Sequence, residues 1–396
     1  MSARGPRLFI VAGEDSGDAL GGQLMEALST MSDRPPSFAG VGGEHMQEQG
    51  LESLFPLSEI AVMGPVAILT RLPALVRRVY QTVDAAIAAD PDVLVIIDSP
   101  EFTHPVARRI RRRRPDIPIL DYVSPSVWAW RPGRARKMRP YIDHVLALLP
   151  FEPEAHARLG GPPCTYVGHP LIEQLPWLAD LDPAPLAARL GLDPARPVLV
   201  VLPGSRRSEV TRLMPVFGEA IAGVAAAGGP LEVIVPVATS ARGAVAAGLA
   251  QWSVIPHMVE GREDRFRAFK LAGAALAASG TVTLELALAG TPMVVAYKVE
   301  PLSAPFLRRL ITARSIVLPN LILGENVIPE RIQEDCTAEA LAARLIPLLS
   351  DTPERRRQMA ALATLPSRMA FAEETPSRAA ARAVLDHLAR RMEAPA

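Results

Sequence analysis

A chain of 396 residues exceeds one ordinary core, because domains run roughly 100–200 residues, so two domains are expected. Apolar residues make up 49% and charged residues 21%, which excludes a disordered or fibrous chain. The 42 Lys and Arg balance the 42 Asp and Glu, and a net charge of zero excludes a protein that coats polyanions through its overall field.

Short apolar runs follow one another along the chain. In the first half they are Leu8–Ala12, Val93–Ile97, Ile117–Val123, His144–Leu149 and Cys164–Val167. In the second half they are Val198–Leu202, Leu231–Pro236, Ala274–Ala278, Met293–Tyr297 and Ser315–Leu318. Runs with so little polar alternation suit strands buried on both faces of a parallel sheet. Helical patterns lie between them, which predicts two α/β domains. The seam falls in the proline-dense stretch Gly168–Pro197. Beyond Thr352 the chain is Ala- and Arg-rich, with no strand candidate and a terminal helix able to pack back on the first domain. Cys164 and Cys336 are too few for a disulfide framework or a four-cysteine zinc site, and a reducing compartment is expected. No run of about 18 apolar residues predicts a membrane span, and Leu8–Gly13 is too short for a signal peptide, so a cytoplasmic protein is expected.

Ligands of open α/β sheets bind beyond the carboxyl ends of the strands, which singles out five loops. The first is Gly13-Glu14-Asp15-Ser16-Gly17-Asp18, where two glycines allow close approach and three carboxylates suit sugar hydroxyls better than phosphate. A plain turn and helix cap is the competing reading. In the second, Asp98-Ser99-Pro100-Glu101-Phe102, Asp98 stands directly after a buried strand. Apolar surroundings there raise a carboxyl pKa toward general-base duty, and the alternative is a cap for the next helix, with Glu101 in reserve. The third, Gly204-Ser205-Arg206-Arg207-Ser208-Glu209, offers free backbone, a hydroxyl and fixed positive charge to a phosphate, or else a solvated arginine pair. The fourth, Ser279-Gly280-Thr281 with Glu285 one turn on, is a second anion loop followed by a carboxylate suited to ribose hydroxyls. Two such loops in one half point to a nucleotide diphosphate. The fifth, Ser124-Pro125-Ser126-Val127-Trp128-Ala129-Trp130-Arg131, sets aromatic planes beside hydroxyls and arginines, as a sugar phosphate or a core aromatic pair would use. His104, His144 and His257 lack ligand spacing, His169 reads as a loop-ordering residue, and no metal site or cofactor is expected.

At these residues the chain resembles bacterial lipid-A-disaccharide synthases. The strings AGEDSGD (12–18), GVGGEHM (40–46), YVSPSVWAWR (122–131), LPFE (149–152), YVGHPLIE (166–173), LPGSR (202–206), ASGTVTLE (278–285) and LPN (318–320) carry the resemblance nearly end to end. It implies a GT-B fold: two Rossmann-like domains facing across a cleft, mostly parallel sheets and a helical C-terminus. The expected division is 1–170 for the acceptor and membrane side, 171–370 for the UDP-sugar and 371–396 for the terminal helix. The implied reaction moves a diacylated glucosamine from UDP to the 6-hydroxyl of a diacylated glucosamine 1-phosphate, with inversion, releasing UDP. Asp98 and Glu14 are then the catalytic candidates. Ser205, Arg206, Ser279, Gly280, Thr281, Glu285 and Asn320 are assigned to the UDP-sugar, and Ser16, Ser124, Ser126, Trp128 and Arg131 to the acceptor side. One departure stands out: the family usually follows its Asp-x-Pro-acid-Phe string with Asn, and here Thr103 stands there.

Between Glu59 and Asp84 there is no acid, while Val66, Ile68, Leu69 and Leu72 sit among Arg71, Arg77 and Arg78. Such stretches lie on anionic membrane surfaces, so these four apolar residues are the expected membrane contact. Leu72, Val76, Val79, Val83 and Ile87 also follow the spacing of a core helix. The arginines at 108, 109 and 111–114 read as the solvated face of a helix anchored by Val106 and Ile110. The expected partners are therefore the two acylated sugars and an anionic membrane, without nucleic acid and with a homodimer admissible. The rival readings are another UDP-sugar enzyme of this fold, such as an epimerase, and a silent lipid- or nucleotide-binding protein.

Overall fold

The computed structural model describes residues 4–60, 65–300, 313–370 and 374–393, with side chains undescribed at 65–70 and 391–393. The chain divides into two compact units. Unit 1 comprises residues 1–173 and 370–396, and unit 2 comprises residues 174–369.

The sheet of unit 1 contains β1 (Arg7–Ala12), β2 (Ser37–Val41), β3 (Val93–Ile97), β4 (Ile119–Tyr122), β5 (His144–Ala147) and β6 (Cys164–Tyr166). Their order is β2-β1-β3-β4-β5-β6 and every pairing is parallel. The Val, Ile and Leu runs are buried on both faces because helices cover both. Phe9 and Val11 point toward Val79, Val83, Val106 and Ile110 of helices Pro65–Ala89 and Pro100–Arg113. Leu8, Ile10 and Ala12 point toward Leu24 and Leu28 of helix Asp15–Met31 and toward Ala380 and Val384 of helix Pro376–Glu393. Each such fully buried Leu, Ile or Phe contributes about 1.5–3 kcal/mol relative to exposure. The final helix thus completes a layer of unit 1.

Unit 2 repeats the scheme with β7 (Val198–Leu202), β8 (Glu232–Pro236), β9 (His257–Val259), β10 (Ala274–Ala278), β11 (Met293–Tyr297) and β12 (Glu330–Ile332). The order is β12-β11-β10-β7-β8-β9, again parallel throughout. Helix Arg207–Gly228 is long and apolar enough to cross a membrane by length and composition alone. Its Val210, Leu213, Phe217 and Ile221 are instead buried against Leu199 and Val201, so it serves as a core helix. Helices Arg262–Leu271 and Val282–Leu288 lie on this sheet as well.

The sequence expectation differs from the structure at four strands. Strands β2, β9 and β12 were not foreseen, being three to five residues long and only partly buried. Ser315–Leu318 is not a strand: the Ser315 hydroxyl and Ile316 N–H donate to the Glu330 carboxylate, and a helix, Leu318–Leu323, begins there.

Helix Pro65–Ala89 corrects another expectation. Val79 and Val83 are core, but Leu72 is 47% exposed and Val76 42% exposed, with Tyr80 on the same face. The side chains of Val66, Ile68 and Leu69 lie outside the described residues, as do Val62 and Met63 altogether. On helix Pro100–Arg113, Val106 and Ile110 are fully buried. Arg108, Arg112 and Arg113 of this helix are exposed, Arg113 pairs with Asp84, Arg111 pairs with Asp143, and Arg109 stacks over Tyr80.

Candidate active site

In both units the strand order reverses beside the first strand, between β1 and β3 and between β7 and β10. Crevices of doubly wound sheets open at such switch points. Four of the five loops that the motifs marked leave from these four strands, and the fifth, 124–131, follows β4.

In unit 1, Asp98 follows β3. Its N–H donates to the Tyr122 carbonyl at 3.1 Å, so it is held as an extra rung beyond the strand. Its Oδ1 accepts from the Ser99 N–H at 2.7 Å, and its Oδ2 accepts from the Ser16 hydroxyl at 3.4 Å. Burial pushes its pKa above the usual carboxylate range, against the two hydrogen bonds that favour the charge, and the negative charges of Asp121 and Glu101 act in the same upward direction. The turn is left-handed without glycine, with φ +54° at Asp98, +42° at Ser99 and +83° at Val123 after β4. Such residues cost about 1–3 kcal/mol each and cluster at functional sites. Gly13 permits the loop after β1 to lie on this turn, since a Cβ there would fall 2.2 Å from the Ser99 Cβ. Glu14 is partly buried at the same edge, as the N-cap of helix Asp15–Met31.

Of the three carboxylates in that first loop, Asp18 serves another purpose. It is buried and accepts from the N–H groups of Gly43, His45 and Met46 at 2.6–3.1 Å, fixing the GVGGEHM loop. Ser124 is buried too, its hydroxyl donating to the Pro125 carbonyl and sitting 2.8 Å from His156 Nε2. Trp128 points inward, its indole N–H donating to Glu152 at 3.0 Å and its ring meeting Phe151 edge-on. Trp130 lies under the Arg131 guanidinium at 4.3 Å, so the two tryptophans do not form one platform. Ser126 and Arg131 are the exposed members of this loop. His169 orders its loop by accepting from the Leu171 N–H, and burial lowers its pKa to about 4.

Two features of unit 1 escaped sequence reasoning. Glu152, the acid of LPFE, is buried and accepts from Trp128 and from the Leu149 N–H, so it anchors the SPSVWAWR loop; burial raises its pKa to about 7. A chain of polar contacts also runs from the exposed Arg108 through the buried Tyr141 and His104 to the buried Asp121, on the strand next to β3. Arg108 donates to the Tyr141 hydroxyl, which faces His104 Nδ1 at 3.0 Å, and His104 Nε2 lies 3.3 Å from Asp121. The sequence shows an Asp on a strand and a His on a helix, and only the β3–β4 register brings them together.

In unit 2, a cavity of about 440 Å³ lies at the β7–β10 switch, lined by Gly204, Ser205, Ser279, Gly280, Thr281 and Glu285 among others. Gly204 has φ +112°, and a Cβ there would meet the Glu209 side chain at 2.7 Å. Glu209 holds Arg206 at 3.2 Å at the start of helix Arg207–Gly228, whose N-cap makes no side-chain hydrogen bond. First-turn N–H groups without such a cap suit an anion. The Ser279 hydroxyl is committed to the Ile316 carbonyl at 2.7 Å. Glu285 takes one bond from Arg265 at 3.1 Å, while its Oε2 is buried with no hydrogen-bond partner, and burial raises its pKa. Arg262 and Arg265 also line the cavity. They were missed because they follow β9, a three-residue strand with no sequence signal.

Asn320 is not brought to this cavity. Fully buried, its amide donates to the Ile328 carbonyl and Glu330, and its oxygen accepts from the N–H groups of Val327 and Ile328. All its hydrogen-bonding capacity is used, so it braces the segment whose Ile316 carbonyl holds Ser279. Among the described residues no group of three or more His, Cys, Asp or Glu side chains is placed to hold a metal ion.

Comparison with known proteins points one way. The family described as lipid-A-disaccharide synthetase matches residues 8–384. A protein of Rhodopseudomonas palustris (strain HaA2), named lipid-A-disaccharide synthase, is 54% identical over 96% of both chains. Another of that name, from Bradyrhizobium diazoefficiens, is 50% identical over 97% of this chain and 98% of its own length. Among solved structures, a UDP-GlcNAc 2-epimerase from Neisseria meningitidis bound to UDP-GlcNAc matches with a TM-score of 0.67. It is 11% identical and covers 97% of this chain and 100% of its own, a likeness of fold alone. A glycosyltransferase from Rickettsia africae matches with a TM-score of 0.61 at 11% identity over the whole of both chains. The fold is that of GT-B glycosyltransferases and epimerases.

Proposed function

The chain belongs to the lipid-A-disaccharide synthase family and is a glycosyltransferase of lipid A biosynthesis, and on that premise we propose that it transfers a diacylated glucosamine from UDP to the 6-hydroxyl of a diacylated glucosamine 1-phosphate. The observation that carries the mechanism is the desolvated Asp98 carboxylate at the β1–β3 switch. The 6-hydroxyl oxygen attacks the donor's anomeric carbon on the face opposite UDP. Its proton passes to Asp98, the bond to the diphosphate breaks, and the configuration inverts. A carboxylate with a raised pKa accepts that proton with a better driving force than an ordinary one. Ser16, on Asp98 Oδ2, is placed to orient the hydroxyl.

Negative charge grows on the leaving diphosphate, and the β7–β10 cavity, lined by Arg262 and Arg265, offers it the loop N–H groups, with Arg206 next along the chain from the lining Ser205. Glu285 supports ribose recognition, because it lines the cavity and its buried Oε2 has no hydrogen-bond partner within the chain. Ser279 and Asn320 act there as framework. An epimerase with this fold would need UDP-sugar alone, so the two readings separate by experiment. Purified protein in detergent should release UDP only when both acylated sugars are present, giving a β(1→6) disaccharide; UDP release or a 2-epimer from the donor alone would contradict it.

For substrates with acyl chains we place the enzyme peripherally on the cytoplasmic membrane face. Support comes from the exposed Leu72, Val76 and Tyr80, one turn apart on helix Pro65–Ala89, within the acid-free strip with its arginines.

A further inference from the structure

Helical threonines commonly return their hydroxyl to the carbonyl four residues back. Thr103 is within reach of that atom, Ser99 O, at 3.1 Å. Its shorter contact, 2.7 Å, is to the carbonyl of Asp98, which lies outside the helix. Thr103 is fully buried, so no water competes for the bond.

The Asp98 carbonyl and the Ser99 N–H are the two ends of one planar peptide unit. The Thr103 hydroxyl holds the first end, and the Asp98 carboxylate oxygen Oδ1 accepts from the second at 2.7 Å. Rotation of this peptide would break both contacts. Rotation is the expected relaxation, because Asp98 and Ser99 are both left-handed without being glycine. We propose that Thr103 is a positioning residue for the transfer, its hydroxyl locking the 98–99 peptide so that one carboxylate oxygen of Asp98 is fixed by Ser99 and the other faces Ser16. This role rests on the reading of Asp98 as the base. It gives the departure from the family's usual Asn a defined task, namely a donor to the Asp98 carbonyl.

The test compares Thr103→Val with Thr103→Ser, using both acylated sugars in detergent. Valine keeps the shape and removes the donor. We expect its kcat to fall about tenfold, the loss a single hydrogen bond of about 1.4 kcal/mol represents. KM for both substrates should stay within about twofold. The acid limb of the pH–rate profile should move to higher pH, because a carboxylate without its Ser99 donor holds its proton more tightly. Serine should restore both rate and limb, which general loosening of the core would not produce. Wild-type kcat and an unmoved acid limb in folded Thr103→Val would overturn the proposal, as would failure of serine to rescue. If valine does not fold, Thr103→Ala against Thr103→Ser asks the same question, and equal turnover of those two overturns it. Asp98→Asn is measured alongside: wild-type turnover there would remove the base reading and this role with it, whereas an inactive Asp98→Asn beside a fully active Thr103→Val would remove only the positioning role.

Discussion

In unit 1 the left-handed turn beside the sheet's switch point follows β3 and is built from Asp98 and Ser99 at φ +54° and +42°, while in unit 2 the left-handed turn beside the switch point follows β7 and uses Gly204 at φ +112°. Both turns leave strands that border the switch point of a parallel sheet, β3 in unit 1 and β7 in unit 2, and they differ in the chemistry they present. A diphosphate is gripped by backbone N–H groups, and glycine supplies a left-handed turn without strain and lets the ligand come close. A general base must carry a side chain, so glycine is not available where the proton is taken. The left-handed cost then has to be balanced by neighbours: Tyr122, Thr103, and the close approach of Gly13. On the proposed function, then, the left-handed turn without glycine is the one that carries the base, and the glycine turn is the one that binds the anion.

The sharpest way to break this comparison is to remove the carboxylate and keep its shape. Asp98→Asn should lower turnover by about a thousandfold, within the usual span of general-base effects, with the protein still folded. Turnover near wild type would leave the strained turn without its function. A second effect belongs to unit 1 alone. Ile68→Glu with Leu69→Glu should lower binding to anionic liposomes about tenfold or more, read by co-sedimentation, while UDP binding in unit 2 is untouched. Unchanged sedimentation of the folded variant would remove the membrane strip from the account. In unit 2, Glu285→Gln should erase about a tenfold preference for UDP over 2′-deoxy-UDP by replacing the ribose acceptor with an amide. Equal preference in wild type and variant would return Glu285 to a mere partner of Arg265.

The smallest effect concerns the scaffold of the acceptor loop. Glu152 has a folded pKa of about 7 against 4.5 ordinarily, so the folded state keeps a proton that the unfolded chain has lost. Its contribution to stability is therefore present below pH 4.5 and lost as pH rises to 7. Relative to Glu152→Gln, which cannot titrate, the wild-type Tm should fall by a few degrees between pH 5 and 7. Parallel Tm curves would show that Glu152 is solvated or ionised throughout.

Much of the fold was legible because parallel strands buried on both faces leave continuous apolar runs, as at Val93–Ile97 and Val198–Leu202. Strands β2, β9 and β12 were not, since edge strands need little burial and therefore leave little pattern. The loops after β1, β3, β7 and β10 could be named from motifs, because glycines, acids and arginines directly after a strand have few other uses. What each side chain does there was less readable. Asp18, Ser124 and Asn320 sit in the motifs yet spend their polar atoms on backbone and neighbouring side chains, a fact that depends on loops 25, 32 and 8 residues away. Arg262, Arg265 and Thr103 act through atoms that only folding brings near, so no spacing announces them. Leu72 and Val76 show the converse limit: helical periodicity marked them as core, but the face they occupy is uncovered.

The division of labour between the two edges is tested most directly by titrating UDP calorimetrically into wild type, Asp98→Asn and Arg206→Ala. With the base on one unit and the anion grip on the other, Asp98→Asn should bind UDP within about twofold of wild type. Arg206→Ala should bind about tenfold more weakly, the loss of one charge-assisted contact. Weakened UDP binding by Asp98→Asn together with undiminished binding by Arg206→Ala would contradict it.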